Sequence, residues 1–562
     1  MRPAATNRRI VVLAGAFVVL LAVALGRAFW LQAVNGDAYA AMAVRQHRET
    51  VVVPAARGTI FDRNGEPLAI GEQATTVFAN PRQVGRPRDL TLAAVKELGV
   101  EPGVVYPLLT DRSRGFVYIA RKADPLRAEE LEKLGFAGLG FYSEELRTYP
   151  QGPVAAQVLG FAGLDNKGLE GLERSLEKVL AGRPGSQTIV KDPFGRVLDV
   201  VSTKPEMQGR NVRLTIDHQI QANAEAVLQD AVRRYGARSA SAIVIDPYTG
   251  AVLAMAVAPR FNANRFATTH ADRRRNRAVT DTFEPGSTFK LVTVAAGLQE
   301  GVVTPRTSFR LRPTIRVADR VIREAHSRGT QRMTVRQIVE YSSNIGTITI
   351  AQRLGEGRLA SWIDRFGFGK PTGIDFPGES AGFALPLEQW SGSTIGTVPI
   401  GHGIAVTPIQ MARAYGVIAN GGVLVQPRLV ERVDGRPVEA TTRRRVVSRA
   451  VSRQMLSMLR GVVLEGTGTE AAIPGYTVAG KTGTAAKIEP SGRYSTSRYV
   501  ASFVGLVPAT KPRLVIMVMV DEPSASIYGG VVAAPAFKQI ARFNLQHLEV
   551  PPDAPRTTKP SR

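Results

Sequence analysis

A serine and a lysine stand three positions apart, at Ser287 and Lys290, in the second half of this chain of 562 residues. A serine hydroxyl is a weak nucleophile at neutral pH and needs a neighbouring base. On a helix, residues three apart share one face, so Lys290 would lie beside Ser287. Burial and a second cation would lower the pKa of the lysine until it can accept the proton. The pair predicts acyl-transfer chemistry, although S-x-x-K also occurs on ordinary surface helices.

Two further motifs follow in order, Ser342-Ser343-Asn344 and Lys481-Thr482-Gly483-Thr484. Ser342 is suited to relay a proton between the two lysines and a leaving amine, and the Asn344 amide is suited to hold a peptide. Lys481 is the natural second cation. By itself the Ser-Ser-Asn segment could also be a helix N-cap or a loop cluster.

The last motif follows residues 476–480, which are typical of a strand. A peptide substrate can add to the edge of such a strand, so Thr482, Gly483 and Thr484 are predicted to bind it together with Asn344. The backbone N–H groups of Ser287 and Thr484 are the predicted oxyanion hole.

This order of motifs resembles the signature of penicillin-binding proteins and class A β-lactamases, although their middle motif reads S-D-N. The resemblance to class B penicillin-binding proteins covers nearly the whole chain. It implies a monofunctional peptidoglycan D,D-transpeptidase, most like the septal cell-division branch and inhibited covalently by β-lactams. The segments that carry it are residues 57–65, Arg147-Thr148-Tyr149-Pro150, Gly168-Leu169-Glu170-Gly171 with Glu173, Gly401-His402-Gly403, Thr407-Pro408-Ile409-Gln410, and Tyr528-Gly529-Gly530 with Ala534-Pro535.

The resemblance implies that D-Ala-D-Ala stem peptides acylate Ser287, that D-alanine leaves, and that an amine on a neighbouring strand accepts the acyl group. Three alternatives stay open. The same site could serve a D,D-carboxypeptidase or β-lactamase, in which water is the acceptor. The transpeptidase could act in elongation rather than at the septum. The site could also only bind, as in a β-lactam sensor or a division scaffold.

Composition limits the other classes of function. The chain has no cysteine, and its six histidines form no H-E-x-x-H pair, so we expect neither a metal site nor a cofactor. The net charge is +24, which suits an anionic membrane or wall surface. No nucleic-acid-binding signature is present, and nucleic acid is not an expected partner.

The N-terminus predicts a membrane anchor. Arg8 and Arg9 precede an apolar stretch, and residues 10–31 are long enough to span a bilayer. Basic residues in front of a span favour a cytoplasmic N-terminus. A cleaved signal peptide is the alternative, because Ala22-Val23-Ala24 resembles a cleavage site. We therefore expect a single-pass protein of the cell (inner) membrane with its catalytic domain outside the cytoplasm. The resemblance adds a polytopic lipid II polymerase and other division proteins as partners.

The predicted fold class is α+β. Residues 1–9 form a cytoplasmic tail, 10–31 the signal-anchor, 35–207 an elongated mixed α/β pedestal of the dimerisation type, 209–549 the transpeptidase domain, and 550–562 a disordered basic tail. In the transpeptidase domain, strands before and after a helical middle section form one antiparallel sheet with helices on both sides. The predicted strands are 241–245, 251–256, 477–480, 499–506 and 513–520. In the pedestal, Asn64-Gly65 predicts a hairpin, with Arg57, Asp62 and Arg63 as a structural ion-pair lattice.

Overall fold

The computed structural model describes residues 4–35, 37, 48–191, 197–325, 328–438 and 442–554. The chain divides into two compact units. The first consists of residues 1–56 with 182–208, and the second of residues 57–181 with 209–562. The predicted domain boundaries stay predictions.

The first unit contains the apolar helix, Ala4–Phe29, which continues as a wider π-helical turn, Trp30–Val34. Within residues 8–34, the most apolar stretch of 18 residues has a mean hydropathy of 2.5, and none of that stretch is buried by the protein. This segment is long and apolar enough to cross a membrane and contains the predicted anchor. The unit also has an antiparallel sheet, whose strands in spatial order are Arg48–Val53, Gly185–Lys191 and Val197–Lys204.

In the second unit, residues 57–181 form a mixed α/β layer around the long strand Pro67–Ala79. This strand pairs with Val117–Ala123 and Leu139–Thr148, and the Asn64-Gly65 hairpin is confirmed, with Gly65 at φ +96°. The remaining strands of this part are Ile60–Phe61, Phe161–Ala162 and Gly168–Glu170, and its helices are Pro87–Leu98, Pro102–Thr110, Pro125–Lys133, Ala156–Leu159, Gly171–Ser175 and Glu177–Leu180.

A buried charge cluster joins the segments of this layer, but its members differ from the predicted lattice. Glu173 is fully buried and binds the Nε atoms of Arg57 and Arg147, each at 2.7 Å. Asp62 instead contacts His218 of the following part of the chain, at 2.7 Å. The acidic partners lie far away in sequence, so a pattern local to residues 57–65 could not reveal them.

The rest of the second unit is built on a five-stranded antiparallel sheet, which confirms the predicted architecture. The third segment differs from its prediction, because the strand begins only at Ala479 and continues to Ile488, so the Lys-Thr-Gly motif lies within it. We call it the Lys481 strand, and it is an edge of the sheet. In spatial order the strands are Val252–Ala258, Ser239–Ile245, Leu514–Asp521, Tyr494–Val507 and Ala479–Ile488.

Helices cover the sheet on both faces. Successive residues of its strands point to opposite faces, so each strand contributes to both cores. Ala242 and Val244 pack into one core with the helices His218–Tyr235 and Gly529–His547, whereas Ile243 packs into the other core with the helical middle section. The helices of that section are Ala271–Arg274, Arg277–Thr280, Lys290–Gln299, Val335–Glu340, Asn344–Leu354, Glu356–Arg365, Thr394–Thr397, Pro408–Ala419 and Arg449–Leu464, with 3-10 turns at Ala263–Thr268, Gly286–Phe289, Leu387–Gln389, Val398–Ile400 and Thr469–Ala471.

Short strands complete this part of the chain. Val212–Leu214 runs parallel to Ile60–Phe61, which connects the two sections of the unit through one sheet. The other short strands are Ser308–Leu311, Thr314–Val317, Arg320–Arg323, Gln331–Thr334, Phe383–Ala384, Ile404–Ala405, Val423–Val425, Val430–Val433, Arg436–Pro437 and Arg443–Arg445.

The start of the predicted disordered tail is instead held against the domain. The Asp553 carboxylate accepts hydrogen bonds from the Thr477 amide at 2.7 Å and from Thr510 at 2.5 Å, and the Val550 carbonyl accepts one from Tyr476. The prediction for residues 550–554 was therefore wrong, because composition does not reveal a carboxylate that caps a neighbouring strand. Residues 555–562 of that tail lie outside the described residues.

Candidate active site

Ser287 lies in the 3-10 turn Gly286–Phe289, directly before the helix Lys290–Gln299. In a 3-10 turn, side chains three residues apart are eclipsed, so Ser287 and Lys290 share one face as predicted. The backbone of the turn packs on the Lys481 strand, since a Cβ on Gly286 would be 3.0 Å from the Thr484 carbonyl oxygen. Ser287 and Thr484, the predicted oxyanion pair, are thus on two segments in contact.

Lys290 is the most constrained polar group of the site and is only 2% exposed. Its Nζ donates to the Ser342 carbonyl at 2.6 Å, to Asn344 Oδ1 at 2.7 Å and to Ser342 Oγ at 3.2 Å. Burial lowers the pKa of Lys290 well below its ordinary value, and the charge of Lys481 lowers it further. The lower pKa favours the neutral form of Lys290, which can accept a proton.

The Ser-Ser-Asn motif forms the turn between the helices Val335–Glu340 and Asn344–Leu354. Ser342 has φ +58°, a conformation that is uncommon outside glycine. Ser343 is the cap of the second helix, because its Oγ accepts the Gly346 amide at 2.9 Å. The capping interpretation and the catalytic one therefore apply to adjacent residues, Ser343 for the cap and Ser342 for contact with Lys290.

Lys481 lies on the edge strand with 1% of its surface exposed, and its Nζ contacts the carbonyl and hydroxyl oxygens of Thr482 at 3.3 and 3.4 Å. Burial lowers the pKa of Lys481 to about 7. Gly483, two residues after Lys481, packs tightly on the serine turn, since a Cβ there would be 3.0 Å from the Pro285 carbonyl oxygen. All the predicted site residues are thus found on three segments, the serine turn, the Ser-Ser-Asn turn and the Lys481 strand.

Glu324 is a site residue that the sequence did not indicate. It follows the strand Arg320–Arg323, accepts the Ser343 hydroxyl at 2.5 Å, and accepts the Asn344 amide at 2.8 Å. Its charge also opposes the fall in the pKa of Lys290. The acid lies 18 positions before Ser342 and follows a separate hairpin, so no pattern within one helix or strand could have identified it.

Glu284 and His402 form a hydrogen-bonded pair next to the serine turn. The Glu284 carboxylate lies 2.8 Å from His402 Nδ1, and the sequence motifs assigned no role to either side chain. The same carboxylate accepts the Gly403 amide at 2.7 Å and the Tyr494 hydroxyl at 3.2 Å. Burial and the charge of Glu284 raise the pKa of Tyr494, so this phenol remains a donor.

Metal-binding chemistry was not expected, but the part of the chain that the structure describes contains one group of suitable ligands. Potential ligand atoms of Asp62, Asp217 and His218 lie within 4.8 Å of one another. The Asp62 carboxylate already accepts the Asn64 and Glu66 amides and contacts His218, while Asp217 caps a helix and contacts His547 at 2.9 Å. These bonds fit a structural clamp between the hairpin and the helix His218–Tyr235.

Comparison with known proteins gives matches along the chain. Residues 240–542 match the family described as penicillin binding protein transpeptidase domain, and residues 52–214 match the penicillin-binding protein dimerisation domain. Peptidoglycan D,D-transpeptidase FtsI of Escherichia coli K12 is 34% identical over 554 residues, which cover 97% of this chain and 93% of that protein. Penicillin-binding protein PbpB of Mycobacterium tuberculosis is 36% identical over 573 residues, which cover 95% of this chain and 84% of that protein.

Solved structures show the same similarity. The crystal structure of penicillin binding protein 3 from Mycobacterium tuberculosis, complexed with aztreonam, superposes with a TM-score of 0.72 at 34% sequence identity. The match covers 90% of this chain and 99% of that one.

Proposed function

The chain belongs to the class B penicillin-binding proteins, and from this premise we propose that it is the peptidoglycan D,D-transpeptidase of septal wall synthesis, with Ser287 as its nucleophile. The observation that carries this proposal is the environment of Lys290. The lysine is buried, adjacent to the serine turn, and hydrogen-bonded to Ser342 and Asn344. That arrangement suits a base that activates a serine.

In the first half-reaction, Ser287 Oγ attacks the carbonyl carbon of the penultimate D-alanine and passes its proton to Lys290. Ser342 relays that proton to the departing nitrogen, so D-alanine leaves and Lys290 is again neutral. The backbone N–H groups of Ser287 and Thr484 stabilise the oxyanion, and each such donor contributes roughly 3–4 kcal/mol in comparable sites. A β-lactam would form the same ester and block the enzyme.

The substrate is held along the Lys481 strand. Its free edge supplies backbone groups of Thr482, Gly483 and Thr484 to a peptide added as a further strand. The Lys481 ammonium binds the terminal carboxylate of the stem peptide. This carboxylate favours the charged form of Lys481, which burial disfavours in the empty site. Asn344 contributes its side-chain amide to the binding of the peptide. No step requires a metal or an organic cofactor.

We also propose that the apolar helix keeps the protein in the cell (inner) membrane as a single span, with Arg8 and Arg9 in the cytoplasm and both matched domains outside. This position places the active site near lipid-linked precursors. The small residues Ala14, Gly15 and Ala16 would allow another helix to approach closely. A polytopic lipid II polymerase of the division machinery is the proposed partner.

Labelled penicillin and cross-linkable peptidoglycan test this function together. We expect one equivalent of label on the protein, and cross-linked dimers as products. Release of D-alanine without dimers would favour the carboxypeptidase alternative, and label without any turnover would favour a sensor or a scaffold. A fluorescent fusion that follows the side wall rather than mid-cell would replace the septal role by elongation.

A further inference from the structure

The Glu284–His402 pair lies directly beside the serine turn. Glu284 precedes Ser287 by three residues, and the backbone before His402 touches the backbone before Ser287, since a Cβ on Gly401 would be 2.2 Å from the Gly286 carbonyl oxygen. The carboxylate contacts Nδ1 at 2.8 Å. In the neutral imidazole, a carboxylate in this position favours the tautomer with the hydrogen on Nδ1 and the lone pair on Nε2.

The imidazole lines an open cleft of about 620 Å³. Asn344, Arg320 and Arg323 line the same cleft, so it extends from the Ser-Ser-Asn motif to His402. The His402 side chain is 29% exposed, and in the part of the chain that the structure describes no protein group is hydrogen-bonded to Nε2. This nitrogen is therefore free to meet a ligand in the cleft.

In the second half-reaction, the motifs provide no protein group that accepts one of the amine protons. An alkylamine has a pKa near ~10.4, so the acceptor arrives as an ammonium ion and must lose two protons to become an amide nitrogen. The path through Ser342 and Lys290 carries only one of them, because that proton returns to Ser287 Oγ when the ester is broken. The other proton must leave before the nitrogen can attack.

We propose that His402, held by Glu284, is the base that takes this first proton from the acceptor ammonium. The inference rests on the proposed function and adds a catalytic residue to it. The ammonium gives one proton to Nε2, and the neutral amine then forms the C–N bond while the C–O bond to Ser287 breaks. The second amine proton passes through Ser342 and Lys290 to Ser287, and His402 releases its proton to water.

The test compares two acceptors on the full chain in detergent, with a D-Ala-D-Ala peptide as the donor. N-acetyl-lysine amide is an ammonium ion at pH 7.5, whereas hydroxylamine is neutral and needs no such base. His402→Gln replaces the imidazole by a neutral amide that cannot act as a base. We expect transfer to the lysine derivative to fall roughly 10²-fold, within the range for loss of a general base. Transfer to hydroxylamine and acylation by labelled penicillin should change little.

His270→Gln is the matched control, because His270 is exposed and caps the helix Ala271–Arg274, and we expect parental rates with both acceptors. Equal losses with both acceptors in His402→Gln would overturn the proposal in favour of a structural role, and unchanged transfer to the lysine derivative would overturn it altogether. Failure of penicillin to acylate the parent protein would instead refute the proposed function, which is a separate result.

Discussion

The Nζ of Lys290 lies 2.6 Å from the carbonyl oxygen of Ser342, closer than to the Ser342 hydroxyl at 3.2 Å. Ser342, which presents this carbonyl, has the unusual φ of +58°. Backbone strain of this kind costs on the order of 1–3 kcal/mol and is typical of active sites. The turn thus fixes Lys290 through its backbone and keeps the Ser342 hydroxyl within reach for proton transfer.

Ser287→Ala should abolish covalent labelling by β-lactams and leave the fold intact. Ser287 heads the S-x-x-K motif and its turn packs on the Lys481 strand, whereas its hydroxyl contributes little to that packing. Intact-mass spectrometry after penicillin treatment should show no adduct, and thermal unfolding should match the parent. An adduct on the variant would place the nucleophile elsewhere.

Glu324→Gln should slow acylation and shift its pH dependence. The carboxylate holds Ser343 and Asn344, and such charged hydrogen bonds contribute about 1.5–3 kcal/mol, so the maximal rate should fall roughly 10- to 100-fold. Lys481 and Arg328 also act on Lys290 and remain in place. Loss of the negative charge lowers the pKa of Lys290 further, so the acidic limb of the rate profile should move to lower pH.

Stopped-flow acylation with a chromogenic cephalosporin across pH would measure both effects. Glu388→Gln, an exposed acid on the turn Leu387–Gln389, is the control and should match the parent. A slower rate with an unmoved acidic limb would reduce Glu324 to a purely structural residue.

The sequence identified the groups whose relation is local or recurs as a motif. Ser287 and Lys290 are three residues apart, and the hairpin at Asn64-Gly65 depends on its own turn chemistry, so both were predictable. The set of five strands that forms the sheet was predictable, because apolar runs of strand length lie before and after the helical section. The Lys481 strand was placed too early, since its second half contains small and polar residues that fit a strand only when an adjacent strand is present.

The remaining site residues depend on tertiary contacts. Glu284 and His402 are 118 positions apart, and Glu324 approaches Asn344 from a separate hairpin. In the sequence alone, Glu284 and Glu324 cannot be distinguished from the other acidic residues, because the chain contains 48 Asp and Glu in total. Only the packing of the serine turn against the Gly401 segment reveals which acid is adjacent to a histidine.

The apolar N-terminal helix should remain in the mature protein. The absence of cysteine allows a direct test of its orientation, because a single introduced cysteine is the only thiol. In intact spheroplasts, a membrane-impermeant maleimide should label Leu126→Cys, which is 73% exposed in the parent, but should label Asn7→Cys only after permeabilisation. A mature N-terminus just after Ala24 would contradict the anchor.

Glu173→Ala should destabilise the protein without acting on the chemistry. The carboxylate is fully buried between Arg57 and Arg147, and removing one member of a buried ion pair typically costs about 3–5 kcal/mol. The urea midpoint should therefore fall, while the acylation rate of the folded fraction stays at the parental value. Glu132→Ala, at an exposed helical position, is the control. A slower acylation rate in the folded fraction would assign the cluster a functional role.

Lys481→Met should flatten the dependence of stability on pH. The pKa of Lys481 is about 7 in the folded protein against 10.5 for a free lysine, so between these values the unfolded chain binds more protons. The free energy of unfolding therefore decreases as the pH falls from 10.5 toward 7, by up to ~1.4 kcal/mol per pH unit. Above pH 10.5, Lys481 is neutral in both states and has no further effect on this pH dependence. The apparent melting temperature of the parent should rise from pH 7.5 to 9.5, and the rise should be smaller in the variant. Lys511→Met, at an exposed position, should keep the parental slope. Equal slopes in all three proteins would show that Lys481 is charged in the folded state across this range.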